Sequence, residues 1–177
     1  DKGFLFHNDG DGTFADATLG SGIGTGAWLG GSMGDYDLDG DLDAWFGCAD
    51  DGGRFYRNET RGNHWLVVEL VGHPSNRTAI GARVTARTGQ RRQVRELLGG
   101  MGYYQHELVV HFGLGAEAQV DELQIRWPSG AVERLGPLPA DQRVRIIEGT
   151  GVAEAAVPAH CDTAPRPSPR PTEGASV

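Results

Sequence analysis

Five aspartates in nine residues, Asp35-Tyr36-Asp37-Leu38-Asp39-Gly40-Asp41-Leu42-Asp43, constrain this chain more than any other stretch. Carboxylates this close repel one another unless a cation lies among them. Spacing by two puts Asp35, Asp37 and Asp39 on one side of a curling loop, and Gly40 permits the sharp turn that brings later ligands round. Hard oxygen donors in this number suit calcium better than magnesium, which keeps several waters. The first six positions match a calcium loop of the EF-hand type. The twelfth is Phe46, where that motif needs a bidentate Glu. Leu42, Ala44, Phe46 and Cys48 alternate with Asp43, Trp45 and Gly47, so the run reads as a calcium loop inside a β-hairpin. Side-chain ligation is expected from Asp35, Asp37, Asp39 and Asp43. Asp41 is expected to give its backbone carbonyl, with its side chain outward.

The acidity is local. Residues 1–60 hold 12 acids and 3 bases, a net of −9, whereas 61–150 hold 9 acids and 11 bases, a net of +2. The whole chain carries −8, which argues against a nucleic-acid partner. No run of about 18 apolar residues is present, so no membrane-spanning helix is expected. The 28 glycines in 177 residues are roughly twice the usual share and point to a turn-rich chain rather than a helical bundle. The chain begins at Asp1 with no initiator Met or signal-peptide pattern and reads as a fragment or processed form.

Alternation over 63–149 predicts short strands. His64 to Val71 is apolar on both sides, like a buried strand. Ala82, Val84 and Ala86 oppose Arg83, Thr85 and Arg87, and Leu123, Ile125 and Trp127 oppose Glu122, Gln124 and Arg126. Pro128-Ser129-Gly130 is a tight turn leading into a return strand over 131–135, and the last strand lies near Val144 and Ile146. Gln90–Leu98 fits either a strand or a short helix. About seven strands with turns between them suggest a β-sandwich. Arg54-Phe55-Tyr56-Arg57-Asn58 repeats Phe4-Leu5-Phe6-His7-Asn8 about 50 residues later, the period of a propeller blade. The fold class is therefore all-β: one propeller-type blade over 1–60 with a calcium loop, a β-sandwich-like domain over 61–150, and a Pro-rich tail over 151–177. Arg166-Pro167-Ser168-Pro169-Arg170-Pro171 forbids helix and inner strand, so disorder or polyproline structure is expected from about residue 152.

Other signals are weaker. Asp9-Gly10-Asp11-Gly12 reads as a hairpin turn rather than a second cation site. The glycine-rich stretch 20–26 lacks the Gly-Lys-Ser/Thr of a phosphate cradle. His106 and His111 are five apart, not the four of a zinc-protease helix, and read as structural. Ser129 lacks a nucleophile-elbow context. With no paired acid and base, the chain does not read as an enzyme. Trp28, Trp45, Trp65 and Trp127 read as core or interface residues, with sugar stacking as the alternative. Arg83, Arg87, Arg91, Arg92 and Arg95 read as a solvated face or a site for an anionic glycan or acidic partner. Trp65, Trp127, Arg83 and Arg87 are thus the candidate ligand-binding side chains. Cys48 and Cys161 could pair outside the cell, although one lies on an inner face and the other in the tail. Asn58-Glu59-Thr60 and Asn76-Arg77-Thr78 are glycosylation sequons, relevant in a eukaryotic secretory host. The Arg, Ala and Gly usage points instead to a bacterial source.

Leu5-Phe6-His7-Asn8-Asp9-Gly10-Asp11-Gly12-Thr13-Phe14, followed by Gly34-Asp35-Tyr36-Asp37 through Asp43, resembles an FG-GAP/VCBS repeat, the calcium-binding blade of integrin-like propellers. Asn63-His64-Trp65-Leu66, Asn76-Arg77 with Ile80-Gly81-Ala82-Arg83-Val84, His111-Phe112-Gly113-Leu114-Gly115 and Trp127-Pro128-Ser129-Gly130 resemble the ASPIC/UnbV domain. Together they resemble the C-terminal end of a cartilage acidic protein family member. That resemblance implies a secreted or surface protein with a propeller preceding a β-sandwich-like domain. It supplies no reaction. A propeller needs about four to eight blades, so the preceding blades of the parent chain are missing here. The expected function is a non-catalytic, calcium-binding extracellular module for adhesion or interaction with a protein or glycan. The alternative is a carbohydrate-binding or enzyme-accessory domain, motivated by the Trp and Arg content of 63–149.

Overall fold

The computed structural model describes residues 4–19, 21–23, 28–49, 52–100 and 105–156. Among these the chain is all-β, without helix, so no helix is long and apolar enough to cross a membrane. None of its sheets closes into a barrel.

The first strands, β1 (Phe6–Asn8) and β2 (Phe14–Asp16), form a hairpin. Its turn is tied by Asn8 and Asp11 carboxamide and carboxylate oxygens, which accept from the Gly10 and Thr13 amides at 2.9 Å each. No ladder joins it to the next sheet, in which β3 (Trp28–Gly34), β4 (Asp43–Cys48) and β5 (Arg54–Tyr56) run antiparallel. The described strands of residues 1–60 thus fall in a two-stranded and a three-stranded sheet. Apolar side chains stay exposed on both, including Phe6, Phe14 and Phe55.

The remainder begins with β6 (His64–Val71), β7 (Arg83–Thr88) and β8 (Arg91–Glu96). It continues through β9 (Val110–Gly115), β10 (Gln119–Val120), β11 (Glu122–Arg126) and β12 (Val132–Leu135). The last strands are β13 (Leu138–Pro139), β14 (Gln142–Ile147) and β15 (Ala153–Ala155). Two four-stranded sheets result, in the orders β12-β11-β7-β8 and β15-β14-β6-β9, with β10 and β13 as a small clip. The two share one hydrophobic cluster, an arrangement compatible with a β-sandwich. Leu66, Val68 and Leu70 of β6, Phe112 of β9 and Ile146 of β14 meet Val84 of β7 and Leu123 and Ile125 of β11. Each such side chain, once fully buried, contributes about 1.5–3 kcal/mol. Alternation alone assigns these faces, because successive residues of a strand point to opposite sides. Val67, on the other face of β6, is also buried, as expected of a strand apolar on both sides.

Two sequence expectations change. Gln90–Leu98 resolves into a strand, since β8 pairs with β7 through a turn in which Gly89 has φ 55° and donates to Asp121 Oδ2 at 2.7 Å. The ordered chain also runs past the boundary expected near 152. Ala153–Ala155 pairs with β14, whose free edge needs hydrogen-bond partners, and Ala156 donates to the Arg143 carbonyl at 2.9 Å. Cys161 and the Pro-Arg repeat lie outside the described residues; Cys48 is buried.

A buried carboxylate closes one end of the two-sheet unit. Glu148 is 4 % exposed, and its Oε2 accepts from the His73 and Ser75 amides at 2.7 and 2.8 Å. Its Oε1 accepts from the hydroxyls of Ser75 at 3.0 Å and Ser129 at 2.5 Å. Ser129, in the Pro-Ser-Gly turn, is therefore a structural donor. Burial pushes the Glu148 pKa up, but the bonds from Ser129, Ser75 and His73 outweigh it and hold the carboxyl below the usual glutamate range. A depressed folded-state pKa gives stability that is present above the unfolded value, about 4.3, and lost as pH falls through the folded value. Glu148→Gln is expected to flatten the acid limb of the stability–pH curve. An unchanged limb would remove Glu148 from its cause.

Candidate metal centre

The Asp-rich loop joins β3 to β4, whose facing residues Gly34 and Asp43 close it. Leu38 and Gly40 take positive φ, 61° and 95°, and so curl the backbone inward. The curl brings together three of the predicted residues. One ligand atom each from Asp35, Asp37 and Asp39 lies within 4.8 Å of the others. Backbone amides hold two of them: Asp35 Oδ1 and Oδ2 accept from Asp39 and Gly40 at 3.1 and 3.0 Å, and Asp39 Oδ1 accepts from Asp41 at 3.1 Å.

Asp43 is not brought into this group. Expected as the late ligand, it is 2 % exposed, and its two oxygens accept from the Tyr36 amide at 2.9 Å and the Asn58 amide at 2.8 Å. From the end of the loop it thus ties down Tyr36 near the loop's start and Asn58, two residues past β5. Asp41 lies beside the group without joining it. Burial raises the pKa of Asp41, and the charges of Asp39, Asp43 and Asp37 add to it against His111. Burial likewise raises Asp35, reinforced by the Asp39 charge and opposed by the amide bonds from Gly40 and Asp39. The loop therefore holds more negative charge than its surroundings neutralise. Among the described residues, Arg57 pairs with it: Nη2 lies 2.6 Å from Asp37 Oδ2 and 3.9 Å from Asp39 Oδ2. Sequence reading did not single out Arg57. Its place beside the loop comes from the β4–β5 register, which a lone Arg in a repeat does not reveal. As a donor set, three carboxylates with hard oxygens fit a divalent cation such as calcium.

The loop is also docked on the two-sheet unit. His111 Nε2 donates to the Gly40 carbonyl at 2.7 Å, which fixes the tautomer with the proton on Nε2. A Cβ on Gly40 would overlap the Trp65 indole at Nε1 and Cδ1, so the glycine face lies flat on that ring. His106 Nδ1 accepts from the Met33 amide at 3.0 Å. Both histidines thus serve backbone groups of the N-terminal segment. Between the three-stranded sheet and the β6–β9 face lies a cavity of about 390 Å³, walled by Leu38, Leu42, Trp65, Val67, His106 and His111 among others.

The candidate ligand-binding side chains scatter. Trp65 is half-buried, with Gly40 against its indole and the rest of the side chain on the cavity wall, and Trp127 is 1 % exposed in the core. Arg83 and Arg87 point outward from β7, and Arg87 Nη1 lies 3.5 Å from Asp121 Oδ2. Arg91 and Arg95 fall on the other side of β8, where Arg95 sits 5.9 Å from the Phe112 ring centre. Both sequon asparagines are engaged: Asn58 Oδ1 accepts from Thr60 and Asn76 Oδ1 from Ile80.

Residues 72–153 match the family described as ASPIC and UnbV. No curated protein matches the chain. The matched segment starts one residue after β6, yet β6 is a central strand of its sheet, so the structural unit reaches back to His64.

Proposed function

We propose that this chain is a non-catalytic, calcium-stabilised interaction module of an extracellular or cell-surface protein. Residues 1–60 are read as an FG-GAP/VCBS-type repeat, the last blade of a propeller whose other blades belong to a longer parent. The whole is read as the C-terminal part of a bacterial-type member of the cartilage acidic protein family. The observation that carries this reading is the convergence of Asp35, Asp37 and Asp39, with ligand atoms within 4.8 Å of one another. The exposed Phe6, Phe14 and Phe55 support the missing neighbours. Asp35, Asp37 and Asp39 would hold the ion by side-chain oxygens and Asp41 by its carbonyl, while Asp43 fixes the loop ends. Bound calcium supplies the positive charge that offsets the carboxylate repulsion. Adhesion or binding of a protein or glycan is then the work of the surfaces so stabilised.

Calorimetric titration of chelator-stripped protein is expected to show saturable calcium binding. At a hundredfold excess over Kd the ion would add about 2.7 kcal/mol to the folded state. Asp37→Ala should weaken binding about tenfold or more, since each lost carboxylate lowers the ligand charge that sets affinity. Unchanged affinity in that variant would sink the assignment.

A further inference from the structure

The outward face of the β12-β11-β7-β8 sheet gathers arginines that are far apart in sequence. Val84 and Ala86 are buried, so Arg83, Thr85 and Arg87 turn away from the core. The register sets Arg126 opposite Arg83, Arg92 opposite Arg87, and Arg134 opposite Gln124. Glu96 and Glu122 share the face by the same register, and Asp121 lies 3.5 Å from Arg87. Five arginines against three carboxylates leave a local balance of +2 on a chain of −8. Among the described residues, Arg83, Arg92, Arg126 and Arg134 form no ion pair. Like charges directly opposite one another destabilise a sheet, and this one carries two such pairs, Arg83–Arg126 and Arg87–Arg92, each only partly offset by the glutamate across the other neighbouring strand, Glu96 opposite Arg83 and Glu122 opposite Arg87. An anion seated between two guanidiniums converts that repulsion into charge-assisted hydrogen bonding.

We propose that this face binds an anionic polysaccharide, with carboxylate or sulfate groups held by the Arg83–Arg126 pair, Arg92 and Arg134. Thr85 and Gln124, in the row between the arginines, hydrogen-bond sugar hydroxyls. Guanidinium forks match planar or tetrahedral oxyanions, which selects the anionic groups. The grid selects an extended ligand: neighbouring strands lie about 4.8 Å apart and same-face residues about 7 Å apart along a strand. A protein partner would want a central aromatic anchor. Among the described residues of these four strands, the apolar side chains on this face are Val94 and Val132. Single-stranded nucleic acid would want stacking rings, and the described strand residues of this face include none; duplex DNA is opposed by the net charge. The inference deepens the reading as an interaction module by naming the partner class, and it does not depend on the cation loop.

Binding of the full chain to dextran sulfate and to polygalacturonate, in chelator and over a salt series, tests it, with neutral dextran and duplex DNA alongside. The protein should bind at least one acidic polysaccharide, not neutral dextran, with affinity falling steeply as salt rises. Arg83→Ser/Arg126→Ser should weaken binding about tenfold or more, with a melting temperature unchanged or higher because the opposed charges are gone. Arg91→Ser, on the other side of β8, should leave binding intact. No binding to either polyanion, equal weakening by Arg91→Ser, or equally tight DNA binding through the same arginines would overturn the proposal. Polysaccharide binding in chelator by a protein that shows no calcium response would uphold it and overturn the cation reading alone.

Discussion

Trp127→Ala will destabilise the two-sheet unit by about 3–5 kcal/mol, the range for truncating a buried aromatic. The side chain is 1 % exposed, and the cluster around it includes residues from both sheets, so no neighbour can collapse into the space without breaking a ladder. Its backbone also closes the hairpin, donating to the Ala131 carbonyl at 2.9 Å and accepting from Gly130 at 2.9 Å. Among the described residues, the indole Nε1 is buried without a hydrogen-bond partner. Such an orphan N–H costs about 1–3 kcal/mol, so phenylalanine, which keeps most of the apolar volume and discards the N–H, should lose far less than alanine. Urea midpoints of the two variants measure the difference. A Phe variant as unstable as the Ala variant would mean that indole shape, and not apolar volume, governs this corner. A loss below about 1 kcal/mol in both would mean that Trp127 is not a core residue at all.

The strands of the two-sheet unit were legible because their signal is local. In β7 and β11 every second residue is apolar, and the burial follows that alternation. Register is different, being set by the whole sheet. Nothing within five residues of Arg83 announces that Arg126 will stand across from it. The curl of the acidic loop was legible for the same local reason as the strands, since Leu38 and Gly40 bend it within its own span. The role of Asp43 was not, because an aspartate can ligate an ion or tie down amides. The choice rests on the Asn58 amide, 15 residues away. Ala153-Glu154-Ala155 has little strand propensity of its own and pairs because β14 offers an edge. Glu148 reads as one more surface acid until the 72–75 loop and the Ser129 turn converge on it.

Gly40→Ala will undock the acidic loop while leaving the two-sheet unit folded. Two penalties fall on one residue. At φ 95° an L side chain is strained by about 1–3 kcal/mol, and the new methyl overlaps the Trp65 indole, an overpacking penalty of about 1–3 kcal/mol. Trp65 cannot retreat freely. Its amide donates to Asp141 Oδ1 at 3.3 Å and its carbonyl accepts from the Asp141 amide at 2.7 Å, inside a central strand. The loop therefore moves, the bond from His111 to the Gly40 carbonyl opens, and Asp35 Oδ2 loses the Gly40 amide. Amide exchange over 34–43 should accelerate at least about tenfold, the effect of each 1.4 kcal/mol lost from local opening. The urea midpoint of the two-sheet unit should hold, because its hydrophobic cluster contains no residue before Leu66. Calcium affinity, where the loop binds the ion, should fall with it. Trp65→Ala in the Gly40→Ala background relieves the overlap but not the backbone strain, so it should restore part of the protection and no more. Wild-type exchange in Gly40→Ala would show that the loop does not rest on Trp65. Full recovery in the double variant would assign the whole penalty to the ring and none to the left-handed backbone.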